Sequence, residues 1–488
     1  MRILLFTFLL GFIGPFLAAQ AAPELSADQA QQDARVLRRA LVELHPALYK
    51  YRSEAEISAA FARFETRASG ARTRAEMFLA ASEVTAAIRC GHTWPNPRFN
   101  QKPAVTALLT ERPDKLPFHV VLVESRWLIT ASAISELDAG DELLALSGVA
   151  APGITVEMMP YLRADGARDG KRLIQLSHED ETSQMDFIWP LLHPPVAGRY
   201  PLIVKRTDGR TEQLAVPAIT LADRRALLSP STQTAAKWTT EYRGDLCILT
   251  LPTFSFWNNA FDWRAYLTKL FADLATKGTR HLVIDLRANE GGSGEIGPFI
   301  VSHLIRDPLP LPAFQPISAY ERVPYILARY LDTWDFGFFD RTGQVEKLGD
   351  RRYLIKTRMA AAGAAAIAPQ AVPFAGKTYV LIGGQNSSAT FVLANFVKLS
   401  RAATLIGQPT GGNLRGLNGG ELCWVNLPNS GVGVDIPLLG SFPVPEQPDA
   451  GVEPDILVIR TFDARAAGRD VEMEKALGLI AAVSPGIY

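Results

Sequence analysis

The chain has only 3 cysteines and 7 histidines in 488 residues, and it has no excess of either charge, since Lys+Arg and Asp+Glu both number 50. Cys90, Cys247 and Cys423 are odd in number and far apart, which argues against a disulfide framework even in an oxidising compartment and fits no zinc-ligand spacing. They read as buried thiols. Balanced charge leaves no basic surplus to neutralise phosphates or hold an anionic lipid surface, so nucleic acid is not an expected partner. Apolar runs of spanning length are missing as well, so no stable membrane insertion is expected of the mature chain. The longest apolar run opens the chain, "MRILLFTFLLGFIGPFLAAQAAPELS". Arg2 is its one cation, Gly11 and Pro15 interrupt it, and Ala19 and Ala21 occupy the small-residue positions of a signal-peptidase site. Residues 1–21 therefore read as a signal peptide cut after Ala21, with a membrane anchor as the alternative. The protein is expected to be exported, to a periplasm or to the outside.

What the chain does have is length, a 48% hydrophobic content and a pattern that changes along it, enough for two to four domains. Residues 26–100 repeat apolar positions at three- and four-residue steps, as in "DARVLRRALVELHPALY" and "RAEMFLAASEVTAAIRC", and read as a helical N-terminal subdomain that ends in the loop "CGHTWPNP". Residues 112–222 carry strand-like runs, "FHVVLVESRWLITAS" and "YPLIVKRTDGRTEQLAV". Between them Asp138, Ala139, Gly140, Asp141, Leu143, Leu144, Leu146 and Gly148 resemble the turn-and-strand signature of a PDZ domain, a fold that binds extended peptide ends at a sheet edge. Residues 236–488 alternate buried-strand runs ("DLCILTLPTF", "HLVIDLRANEGG", "KTYVLIGGQ") with amphipathic helices, the pattern of an α/β domain. Within it, 307–372 has no clean period and reads as a lid or insertion.

Three separated stretches of this last region carry chemistry. "HLVIDLRANEGG" ends a strand in a glycine turn; "GGQNSSATF" runs from a strand into a helix through Ser387 and Ser388; "RAATLIGQPTGG" is followed by Asn413, and "GVEPDILV" comes near the end. In order and spacing these resemble the motifs of the tail-specific, or C-terminal-processing, serine peptidases of family S41. The resemblance implies a crotonase/ClpP-like α/β core, a serine nucleophile, no metal and no organic cofactor, and polypeptide substrates. Two positions depart from the pattern: Phe391 stands where the family's helix has glutamate, and Asn413 stands where the processing peptidases have their lysine base. An amide has no group that titrates to accept a proton, and the nearby Arg415 stays protonated.

The chain is more similar here to the tricorn-like branch, whose base is a histidine from the helical region. Gly91, His92 and Thr93 match its G-H-T, and His92 is the expected base, with an ordinary pKa near neutrality. The other six histidines lie in helices, strands or the PDZ-like region. Ser388 is the expected nucleophile, with Ser387 as the helix cap. Oxyanion donors are expected from Ala389 and from Gly291 or Gly292. The carboxylate that orients the imidazole in that branch falls at Glu446, with Asp449 as the alternative. The expected function is hydrolysis of peptide bonds by an exported serine peptidase. The competing expectation is a catalytically silent member of the fold that binds peptides or apolar ligands. The sequence leaves the oligomeric state open.

Overall fold

The computed structural model describes residues 24–179, 181–228, 238–257, 259–357 and 366–483. The expected signal peptide, residues 1–21, lies outside them. Among the described residues no helix is long and apolar enough to cross a membrane.

Three helices open the chain, Ala27–Leu44, Glu54–Gly70 and Arg74–Ala87. Each begins with a capping box, in which the side chain of Ser26, Ser53 or Thr73 accepts from a backbone N–H of the first turn while Gln29, Glu56 or Glu76 returns the bond. The apolar stripe read from the sequence is the buried one: Ala30, Ala34, Leu37, Leu41 and Leu44 all face inward. The strands Phe118–Val123, Arg126–Ser132, Glu142–Leu146, Arg199–Lys205 and Thr211–Pro217 follow as an antiparallel sheet in that order. Its inward residues, including Phe118, Trp127, Leu143 and Tyr200, join Leu37, Phe78 and Val84 of the helices in one apolar cluster. Val425, Val434 and Ile436 complete it from the far end of the chain.

Between the third and fourth strands of this sheet, a stretch of short helices is fixed by a buried ion pair. Arg224 Nη1 and Nη2 reach Asp186 Oδ1 and Oδ2 at 2.6 and 2.7 Å, and both side chains are 1% exposed. Burial alone would raise the Asp186 pKa; Arg224 and His178 outweigh it and hold the carboxyl well below its ordinary value. Arg224→Met should therefore destabilise the fold by about 3–5 kcal/mol, because it strands a buried carboxylate without its partner. Equilibrium denaturation of the variant checks this, and a loss under about 1 kcal/mol would contradict it.

The second half is built on a mixed sheet ordered Ile456–Leu457, Thr404–Gly407, Lys377–Ile382, His281–Asp285, Leu246–Thr250, Thr239–Arg243, parallel throughout except for the last pair. Helices Trp263–Thr276, Ile296–Ser302 and Ser388–Ser400 cover one face and Val471–Val483 the other. Double coverage explains why these strands read as continuous apolar runs rather than alternating ones. The turns that leave Asp285, Ile382 and Gly407 all lie at the carboxyl ends of the parallel strands, where open α/β sheets form their crevices.

The described residues of 307–372 form small strands. Phe314–Ser318 pairs with Arg352–Ile355 and with Gly440–Pro443, and Leu331–Asp332 pairs with Leu422–Asn426. Cys90, Cys247 and Cys423 are buried free thiols.

Candidate active site

The serine turn is rigid because a buried amide spans it. Asn386 Oδ1 accepts from Gly383 N–H at 2.8 Å, and its Nδ2 donates to the carbonyls of Leu286 and Asn289, tying this turn to the neighbouring one. Asn289 repeats the device: its Oδ1 accepts from Gly291 N–H at 2.8 Å and from Thr390 Oγ1 at 2.6 Å, and its Nδ2 donates to Leu251 O at 2.8 Å. Ser388 emerges with φ +49°, a left-handed conformation that costs a non-glycine residue about 1–3 kcal/mol. The strain puts it at the head of the helix Ser388–Ser400, where the first N–H groups lack helical acceptors.

The two serines are now distinguishable. Ser387 occupies the cap position without capping; its Oγ donates to Glu290 O at 3.1 Å. Ser388 Oγ has no hydrogen-bond partner among the described residues and borders a cavity of about 1190 Å³ that also reaches His92, Glu290, Gly291 and Gly292.

Gly291 packs against the serine. A Cβ built on it would lie 2.8 Å from Ser388 Cβ and 3.1 Å from Ala389 N, at φ +126°. Of the two glycines, Gly291 has its N–H engaged by Asn289, whereas Gly292 N–H and Ala389 N–H have no acceptor among the described residues. Gly292 is itself fixed by a bridge to Phe254, whose N–H donates to Gly291 O at 3.0 Å and whose carbonyl accepts from Ser293 N–H at 2.8 Å.

His92 comes from the loop after Arg74–Ala87. Gly91 N–H donates to Asp165 Oδ1 at 2.9 Å, Thr93 Oγ1 meets His45 Nε2 at 2.9 Å, and Trp94 pairs backbone to backbone with Asp435. The ring lies against Gly419, where a Cβ would be 3.2 Å from Nε2, and its Nδ1 is buried without a hydrogen-bond partner among the described residues. Burial pushes the imidazole pKa below its ordinary 6.5; Asp165 and Glu290 oppose this, Arg163 and Lys171 reinforce it. The ring is neutral at pH 7, the form a base needs. No hydrogen bond joins it to Ser388 in this structure.

The structure does not bring Glu446 to the imidazole. Its side chain is 78% exposed and its carboxylate lies 3.5 Å from Arg415 Nε. Asp449 is engaged elsewhere, accepting from Asn413 Nδ2 at 2.6 Å and Ala167 N–H at 2.9 Å. Asn413, at the lysine position, is fully buried, and its amide also donates to Asp165 O at 3.2 Å, so it fastens loops together. Phe391, at the glutamate position, is buried against Gly412. Sequence reading missed the Asn289 and Asn386 amides and the cluster of Lys171, Glu290 and Arg163. Asn289 alone carried a signal, as the asparagine of the family-like stretch "HLVIDLRANEGG".

The sequence profile of Peptidase family S41 matches residues 245–458, the stretch that holds the mixed sheet, the glycine turn and the serine turn. A search by sequence against curated proteins finds no match. Among solved structures, the fold is similar to mature CPAF complexed with lactacystin, at 16% identity and a TM-score of 0.63 over 94% of this chain and 99% of that one. It is similar also to the CPAF S499A mutant, at 17% identity and a TM-score of 0.64 over 94% and 98% of the two chains. Residues 245–458 match peptidase family S41, and that match supports reading the chain as a serine peptidase of the family.

Proposed function

We propose that the protein is exported and hydrolyses peptide bonds in unfolded or exposed polypeptide segments through an acyl-enzyme on Ser388, with His92 as general base. The observation that carries this reading is the strained, unpartnered Ser388 hydroxyl on the wall of a cavity it shares with a neutral imidazole. On substrate entry, Ser388 Oγ attacks the scissile carbonyl carbon as its proton passes to His92. The oxyanion that forms takes hydrogen bonds from Ala389 N–H and Gly292 N–H, the two donors left without acceptors. Collapse expels the amine, which takes the proton back from the imidazolium, and water then hydrolyses the ester by the same route. The ring is oriented by its seat against Gly419 and by the Gly91–Asp165 bond, since neither Glu446 nor Asp449 faces it. Asn413 in place of lysine supports the tricorn-like assignment, and the sheet of residues 118–217 suits a PDZ-like role in presenting the peptide.

A fluorophosphonate should label the purified protein at Ser388, located by peptide mapping. The rate should follow the neutral fraction of His92. Because burial lowers that pKa, the group loses its reactive form only as pH falls through a value below 6.5, so the acid limb of kcat/KM should lie below pH 6.5. An acid limb above pH 7 would exclude His92 as the base. A folded protein that takes up no label would instead favour a silent binder of peptides or apolar ligands.

A further inference from the structure

One buried cation meets three of the loops at the active site. Lys171 lies in the short helix Asp169–Ile174, in the connection between strands Glu142–Leu146 and Arg199–Lys205, outside the matched peptidase stretch. Its side chain is 2% exposed. An ammonium buried to this degree needs partners, and it has them in the two catalytic turns: Nζ pairs with the Glu290 carboxylate, in the residue before Gly291, and donates to Gln385 O at 3.1 Å, ahead of Ser387 and Ser388. The stem crosses the third loop at Gly411, where a Cβ would fall 2.9 Å from Lys171 Cδ and 3.0 Å from its Cβ.

From Glu290 the contacts continue to the base. Arg163 Nη2 lies 3.7 Å from Glu290 Oε1, its guanidinium stands 3.9 Å over the Trp94 ring, and its Nη1 donates to Gly91 O, next to His92. The opposed charges act mutually. Burial raises the Glu290 pKa, but Lys171 and Arg163 outweigh it and hold the carboxyl down at about 2, so Glu290 stays ionised beside the cavity.

We propose that Lys171 and Glu290 are positioning residues of this peptidase: their ion pair pins the glycine turn carrying Gly292 N–H to the turn carrying Ser388 and Ala389, and through Arg163 to the loop of His92. The inference rests on the Ser388 reading of the preceding section. Neither residue reacts. Lys171 is not on the cavity wall, and its charge has a second effect, because it neutralises a carboxylate that would otherwise repel the oxyanion forming nearby.

The test is steady-state kinetics on an unstructured peptide, with active sites counted by fluorophosphonate titration. Lys171→Met should lower kcat per titrated site by about 100-fold, the scale of a misplacement near 1 Å, while KM changes by less than about threefold. Glu290→Gln should lower kcat by about tenfold: it loosens the turn and takes the carboxylate from the buried Lys171 ammonium, but the amide oxygen and Gln385 O can still accept from Nζ. The double variant should be no worse than Lys171→Met alone, and Lys171→Arg should recover most of the lost rate. Unchanged kcat per titrated site in both single variants, or effects that simply multiply in the double, would overturn the proposal. If Lys171→Met does not fold, Glu290→Gln, whose side chain borders the cavity, decides with its own kcat and KM. Wild-type protein that takes no label at Ser388 overturns the peptidase reading and this inference with it. Labelled wild type with unaffected variants overturns this inference alone.

Discussion

Changing Ser388 to alanine should abolish fluorophosphonate labelling and lower kcat/KM on a peptide by about ten-thousand-fold or more, and His92→Ala should come within about tenfold of the same loss. The two act as one unit, since the hydroxyl is inert without a base and the imidazole idle without a nucleophile. The double variant should therefore be no slower than the worse single one. Ser387→Ala serves as the internal control. Its hydroxyl is committed to Glu290 O at 3.1 Å, so its loss should cost roughly tenfold or less through a looser turn, with labelling retained. Labelling that survives Ser388→Ala but not Ser387→Ala would reverse the assignment. Asn413→Ala should keep its label, since the amide is buried among Asp165, Asp449 and Arg415 and faces no substrate. Rapid-quench labelling, active-site titration and kcat/KM together read all five variants.

The legible and illegible parts of this molecule divide by the range of the interactions that fix them. The strands His281–Asp285 and Lys377–Ile382 were readable because burial on both faces imposes an unbroken apolar run, and the helix after Ser388 because its apolar spacing and the preceding glycines are local. The described strands within 307–372 are two to five residues long, and two of them, Phe314–Ser318 and Leu331–Asp332, pair with partners beyond residue 420, so no local period announces them. Lys171 is the sharpest case. In sequence it sits in a polar, helix-like stretch, where lysine is ordinarily solvated; only the fold shows its charge buried against Glu290, 119 residues away. Glu446 fails in the other direction. A loop carboxylate has no periodicity to fix its direction, and here Arg415, from a separate loop well upstream, takes it as a surface partner. Even the choice between Gly291 and Gly292 turned on a side chain, Asn289, whose amide occupies one N–H and leaves the other.

That choice carries the second large effect. Gly291→Ala should lower kcat by about 100- to 1000-fold, the loss typical of a disrupted oxyanion site, with KM changed far less and the unfolding midpoint lowered by the strained φ. The alanine methyl would need to occupy space 2.8 Å from Ser388 Cβ and 3.1 Å from Ala389 N, closer than carbon atoms approach without displacement, and φ +126° is denied to an L side chain. The three nearest atoms are Ser388 Cβ of the nucleophile, Ala389 N of one proposed donor and Ser387 O of the same turn, so the turn that carries the reacting groups is what shifts. Gly292→Ala differs. Its methyl would fall 2.1 Å from Phe254 C, into the backbone of the neighbouring loop, and the bridge that fixes the turn would have to open. It should cost more stability than Gly291→Ala, since its nearest clash is with backbone rather than a side chain, and the melting temperature separates the two variants. Near-normal turnover in Gly291→Ala would mean that the serine does not react in the position the structure gives it, and that the hydroxyl must swing clear of the glycine turn before it meets a substrate.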